Sequence, residues 1–194
     1  MTDVHPPRVS LDLESVLADT HRVYIEELNE RYPDQNYAYD DVDDWDWVSQ
    51  EERDFGEFMS IVHHAWEDEW MTIPTCDSEE ELQNAVEELA VDYIVEIVTA
   101  RVGVEHEMRF WLNAKDIIRF TSQFRSIPPQ ETKADLDFDY FIDDKPHLSD
   151  NISDDQVHFL VDRPWNQEVE ERSNVYRVDS VADAVQVLQD SSDL

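Results

Sequence analysis

Six short runs of β-branched and aromatic residues, each too brief to be a stable helix, alternate along this chain with longer stretches of helical period. They lie at 8–13, 93–98, 117–124, 139–142, 157–161 and 175–178. Runs apolar on both faces are the mark of strands covered from two sides, which a parallel sheet provides. Helical spacing predicts helices over 20–31, about 52–70, 79–90, 105–113 and 180–189, with Pro33 and Pro74 closing the first two. Asp77 or Ser78 caps the third, and acids crowd its first turn, where the helix dipole favours them. Strands alternating with helices predict an α/β fold, Rossmann-like, with a mainly parallel sheet whose ligands bind at the carboxyl ends of the strands. Three of those ends carry polar residues: Asp12, Thr99, and the pair Asp143 and Asp144. The helical stretch between the first two strands divides the chain into a core, 1–19 with 77–194, and a small helical cap, 20–76.

Charge narrows the function. Asp and Glu number 48 against 14 Lys and Arg, a net charge of −34, and the lysines are only Lys115, Lys133 and Lys145. Such repulsion opposes compaction in dilute buffer and is screened in strong salt, so the chain reads as adapted to a salty cytoplasm and a halophilic, haloarchaeal source. The alternative, an acidic mimic for basic partners, would gather its charge in one tail, whereas acids here punctuate every element. A nucleic-acid polymer is excluded as partner for want of basic clusters, and no stretch approaches a membrane span. Lone Cys76 permits no internal disulfide, and without a signal-like apolar segment the expected compartment is the cytoplasm.

Four blocks carry the chemistry. They are D-L-E-S-V-L-A-D-T from Asp12, T-A-R from Thr99 to Arg101, Lys133, and F-I-D-D-K-P from Phe141. In this order the chain resembles the haloacid dehalogenase superfamily. I-V-T-A-R from Ile97, D-Y-F-I-D-D-K-P from Asp139 and V-D-R-P-W-N from Val161, with the insertion after the first block, resemble its 5′(3′)-deoxyribonucleotidase-like branch. The resemblance implies a Mg²⁺-dependent phosphomonoesterase acting on a small phosphorylated substrate such as a nucleotide. Asp12 would be nucleophile and metal ligand, Glu14 acid–base and, through its backbone carbonyl, ligand. Thr99 and Lys133 would bind phosphate, and Asp143 and Asp144 metal, with Arg101 the candidate for a substrate contact.

Physical chemistry asks for the same parts. Phosphoryl transfer through a carboxylate needs a nucleophile, a cation, donors for the phosphate oxygens and an acid for the leaving group. Two carboxylates about 4 Å apart repel by roughly 4 kcal/mol at an effective dielectric of 20, so gathering three demands a cation, and Mg²⁺ suits oxygen ligands.

Glu14 departs from the family pattern, which has Asp followed by Gly where this chain has Glu14 and Ser15. Its extra methylene must fold back, so the alternative function is a catalytically weakened protein that binds or senses a phosphorylated ligand or partner. Tyr37, Tyr39, Trp45, Trp47, Trp66 and Trp70 either stack on substrate or fill the interior of a small cap, and the i, i+4 spacing of Trp66 and Trp70 favours the interior. Asp40, Asp41, Asp43, Asp44 and Asp46 read as a solvated acidic surface, since Trp45 sits where a calcium loop needs oxygen and no Gly makes the turn. His63 and His64 point to different sides of a helix and make a poor metal pair. Arg163 and Trp165 either border the cleft or end the sheet.

Overall fold

The computed structural model describes residues 5–45, 47, 55–128 and 130–190. Asp46 and the expected start of the second helix near Glu52 lie outside the described residues. The strands are β1 (Arg8–Leu11), β2 (Ile94–Thr99), β3 (Gln123–Ser126), β4 (Tyr140–Asp143), β5 (Val157–Val161) and β6 (Val175–Val178). The α-helices are α1 (Thr20–Arg31), α2 (Phe55–Glu69), α3 (Glu79–Asp92), α4 (Glu105–Ala114), α5 (Pro146–Asn151) and α6 (Val181–Asp190). All six strands pair in parallel, in the order β3-β2-β1-β4-β5-β6. Among the described residues no helix is long and apolar enough to cross a membrane.

Strand period explains the two-sided core. Ile97, Ile142 and Phe159 join one cluster with Leu11, Val86 and Trp111, while their neighbours Val98, Phe141 and Leu160 join another with Leu148 and Ile152. Successive side chains leave opposite faces of a strand, so a sheet covered on both sides makes two apolar layers. Helix α3 is held at its start by Ser78, whose hydroxyl accepts from the Glu81 N–H while the Glu81 carboxylate accepts from the Ser78 N–H.

The topology sets the site. After β1 the chain builds β2 and β3 to one side, then returns to place β4 beside β1 and continues outward to β6. The crevice between β1 and β4 is therefore the switch point of the sheet. Leu11 is in register with both Ile97 and Ile142, so Asp12 leaves its strand level with the last residues of β2 and β4.

One strand departs from expectation. The run at 117–124 divides into a 3₁₀ turn, Ile118–Phe120, and a later edge strand, β3. Its apolar residues serve the end of α4 instead: Ile117 is buried, and Ile118 and Phe120 pack half-buried against the main core. Helix α5, with Pro146 in its first turn, was not foreseen.

Candidate active site

Asp12 follows β1 directly, and its N–H donates to the Ile142 carbonyl at 3.0 Å, which locks it against β4. The chain then turns tightly: Ser15 has φ 61°, its N–H donates to Ala18 O at 2.7 Å, and Ala18 N–H donates to Leu13 O at 2.8 Å. Lys133 opens a 3₁₀ turn just ahead of β4. Its Nζ lies 2.6 Å from Asp12 Oδ1 and 2.5 Å from Asp143 Oδ2, with all three side chains buried. The other Asp143 oxygen accepts from the Lys145 N–H at 2.9 Å. Asp144 is held by the segment after β5, where Trp165 Nε1 donates to its Oδ2 at 2.9 Å and Asn166 Nδ2 to its carbonyl at 2.9 Å. Asn166 also donates to Val161 O at 2.8 Å, tying that segment to its own strand.

Asp12, Asp143 and Asp144 present carboxylate oxygens within 4.8 Å of one another, the only such group of three among the described residues. Burial drives the Asp12 carboxyl well above its ordinary range; Lys133 opposes that rise, and Asp143 and Asp144 add to it. Burial, then Asp143, pushes Asp144 up to about 7. Burial works against the Lys133 ammonium too, but Asp12 and Asp143 outweigh it and hold its pKa above the ordinary value. Three carboxylates facing one ammonium are a buried anionic excess of two, the charge of one divalent cation, and oxygen is the donor such a hard cation takes. The donor set fits a hard divalent cation.

Thr99 ends β2, fully buried on the cleft wall, and its hydroxyl oxygen accepts from the Arg101 N–H at 3.3 Å. Glu14 is paired twice through one oxygen: Oε1 accepts from Arg101 Nε at 2.7 Å and from Trp66 Nε1 of α2 at 3.0 Å. Arg101 thus pairs with a residue of the cleft itself. His64 pairs with exposed Asp68 at 2.9 Å, so the adjacent histidines build no site.

A cleft of about 370 Å³ opens above these groups. Its floor carries Asp12, Glu14, Thr99, Lys133, Asp143 and Asp144, and its upper wall includes Tyr24, Trp45, Trp47, Met59 and Val62. The ring residues divide between the interior and the cleft wall. Trp66 is fully buried against Trp111, whereas Trp47 packs edge-on to Tyr24 and Tyr37 and also lines the cleft. Sequence reasoning missed the partners of the acids: Trp66 for Glu14, Trp165 and Asn166 for Asp144, and Arg163, whose Nε donates to Ser15 O at 2.9 Å. The V-D-R-P-W-N block was visible, but not where it would turn.

No protein-family model and no curated protein matches this sequence. Solved structures do match in fold. A haloacid dehalogenase-like family hydrolase from Xanthomonas campestris superposes with a TM-score of 0.57 at 10% identity, covering 95% of each chain. A predicted phosphoglycolate phosphatase from Haemophilus somnus superposes at 0.58 and 14% identity, over 94% of this chain and 97% of that one. The L-2-haloacid dehalogenase from Xanthobacter autotrophicus superposes at 0.54 and 10%, over 95% and 99%. The fold is that of the haloacid dehalogenase-like hydrolases, a scaffold shared by phosphatases and dehalogenases, so the chemistry must be argued from the site.

Proposed function

We infer that the chain is a Mg²⁺-dependent phosphomonoester hydrolase working through an aspartyl-phosphate on Asp12, with residues 20–76 as the cap over a core of 1–19 and 77–194. The observation that carries this is the convergence of three buried carboxylates and one ammonium at the switch point of the sheet. A dehalogenase also uses an aspartate nucleophile but has no call for two further carboxylates, and the phosphatase among the structural neighbours supports a small phosphorylated substrate. A nucleotide is the class the sequence resemblance implies, and the ring-lined upper wall suits a planar group.

In this reading Asp12, Asp143, Asp144 and the Glu14 carbonyl would hold Mg²⁺, which when bound would supply positive charge against the phosphate. Asp12 attacks phosphorus while the bond from phosphorus to the leaving oxygen breaks, and Glu14 gives that oxygen a proton. Glu14 then takes a proton from water, whose oxygen attacks phosphorus, releasing phosphate and restoring Asp12. Lys133 and the Thr99 hydroxyl donate to the equatorial oxygens throughout. The test is a phosphomonoester panel with Mg²⁺ in multimolar KCl, followed by acid quench to trap labelled Asp12. Asp12→Asn should lose both turnover and label while keeping its fold, because an amide is neither a competent nucleophile nor an anionic ligand. An active Asp12→Asn protein would remove the covalent mechanism.

A second reading has its own observation. Glu14 is held at one oxygen by Arg101 and Trp66, as a strut between the core and α2, which supports a weakened protein that binds or senses a phosphorylated ligand.

A further inference from the structure

Among the described residues two side-chain polar atoms are buried without a hydrogen-bond partner, His21 Nε2 and Arg101 Nη1. Both residues line the cleft above Asp12. A buried polar atom left unpaired costs free energy, and folded proteins leave few of them. Two on one cleft point to a ligand that completes both.

Both atoms can hydrogen-bond a ligand. The His21 ring lies between Tyr39, edge-on at 4.6 Å, and Trp165 at 4.4 Å. Burial holds the ring pKa down to about 4, so near neutral pH the imidazole is uncharged and Nε2 either accepts one hydrogen bond or, in the other tautomer, donates one. Arg101 has a single sense. Its Nε is committed to Glu14 at 2.7 Å, which fixes the guanidinium plane, and Nη1 can only donate.

The charge of the cleft limits what else the ligand carries. Asp12, Glu14, Asp44, Asp143 and Asp144 line it against Arg101, Lys133 and Lys145, five acids to three bases. The charges of Arg101 and Lys133 are balanced in place, Arg101 by Glu14 and Lys133 by Asp12 and Asp143. A divalent cation matches one phosphate dianion and leaves the acid surplus standing, so a second anionic group would meet net repulsion.

We propose that the untransferred part of the substrate is uncharged, and that it carries a hydrogen-bonding group for His21 Nε2 and an acceptor for Arg101 Nη1, which make these two residues the specificity determinants. The proposal rests on the phosphoryl-transfer reading above and narrows it: phosphorylated alcohols with a neutral, hydrogen-bonding body are selected over phosphocarboxylates and bisphosphates.

The test uses benzylphosphonate and its 3-hydroxy and 3-carboxy derivatives, whose C–P bond is not hydrolysed, with inorganic phosphate as reference. Binding to the full chain with Mg²⁺, at the lowest KCl concentration that keeps it folded so that charge repulsion is still felt, is read from the fluorescence of the tryptophans lining the cleft. The hydroxy compound should bind about 5- to 10-fold more tightly than the parent, one hydrogen bond's worth, and the carboxy compound more weakly than either. His21→Phe should erase the hydroxyl preference while binding the parent as before, and His21→Gln, which offers an amide oxygen, should restore part of it. Equal affinity for hydroxy and parent compounds, tightest binding of the carboxy compound, or an equal loss for all ligands in His21→Phe would overturn the proposal alone. Failure of every ligand to bind, inorganic phosphate included, would overturn the phosphate-handling reading and the proposal together. Should His21→Phe not fold, the wild-type ranking and His21→Gln still decide.

Discussion

Glu14 Oε1 serves two donors at once, and an aspartate at position 14, one methylene shorter, cannot keep both Arg101 Nε and Trp66 Nε1 within reach. For a working hydrolase built around the longer side chain, Glu14→Asp should lower the rate by about 10- to 100-fold, the penalty for misplacing an acid by roughly 1 Å. Glu14→Gln, which keeps the length but cannot exchange the proton, should fall further. A faster Glu14→Asp protein would favour the weakened, ligand-sensing reading, and equal rates for all three would end any acid–base role at this position. Asp144 makes a second prediction, in stability. Its folded pKa is raised to about 7, so the stability it contributes is present below the unfolded carboxyl value of about 3.8 and is lost as pH rises through 7. Metal-free protein should therefore melt at a lower temperature at pH 8 than at pH 5.5, and Mg²⁺, which wants the ionised form, should raise the melting point more at pH 8. Thermal melts with EDTA and with Mg²⁺ at both pH values check this. Asp144→Asn should flatten the difference, and a Mg²⁺ effect larger at pH 5.5 would contradict the assignment.

Elements differ in how far one sequence exposes them. Strands β5 and β6 fall where their runs lie in the sequence: β5 is interior and almost wholly buried, and β6, although an edge strand carrying Arg177, keeps Val175 and Val178 buried. The edge strand β3 carries Gln123, Arg125 and Ser126 among its four residues, and its apolar neighbours were needed by the preceding 3₁₀ turn, so local hydrophobicity pointed several residues too early. The same logic divides the site. Asp12, Thr99, Asp143 and Asp144 were legible because a polar residue closing an apolar strand marks the carboxyl edge of a parallel sheet. Lys133 stood out by the scarcity of lysine. Trp66 and Trp165 were not legible as partners of Glu14 and Asp144, since 52 and 21 residues separate those pairs and only the crossing of α2 and the turn after β5 unites them. His21 was invisible for a further reason: a histidine on a helix gains meaning from which of its nitrogens the fold leaves unpaired.

At the scale of the whole molecule the net charge of −34 decides the conditions under which every smaller argument can be tested. Some acids have a basic partner: buried Glu96 is flanked by Arg8 at 2.6 Å and Arg125 at 3.3 Å, Lys115 reaches Glu79 at 2.5 Å, and Arg177 reaches Asp162 at 2.5 Å. With 14 basic residues for 48 acids, the remainder of the carboxylates must be screened by ions. The Debye length falls from about 10 Å at 0.1 M salt to about 3 Å at 1 M and changes little in absolute terms beyond that. If repulsion is what limits stability, the melting temperature read by circular dichroism should rise steeply between 0.1 and 1 M KCl and then flatten. An equal melting temperature at 0.1 and 3 M would end the salt-adapted reading. A rise that instead continued undiminished from 1 to 3 M would assign the effect to strengthened apolar burial or to specific ion binding, because screening is nearly complete by then. Substituting exposed glutamates by glutamine separates the two: it should raise stability at 0.1 M and leave 3 M unchanged if screening is the cause, and should lower it at 3 M if the carboxylates bind the ions that hold the fold.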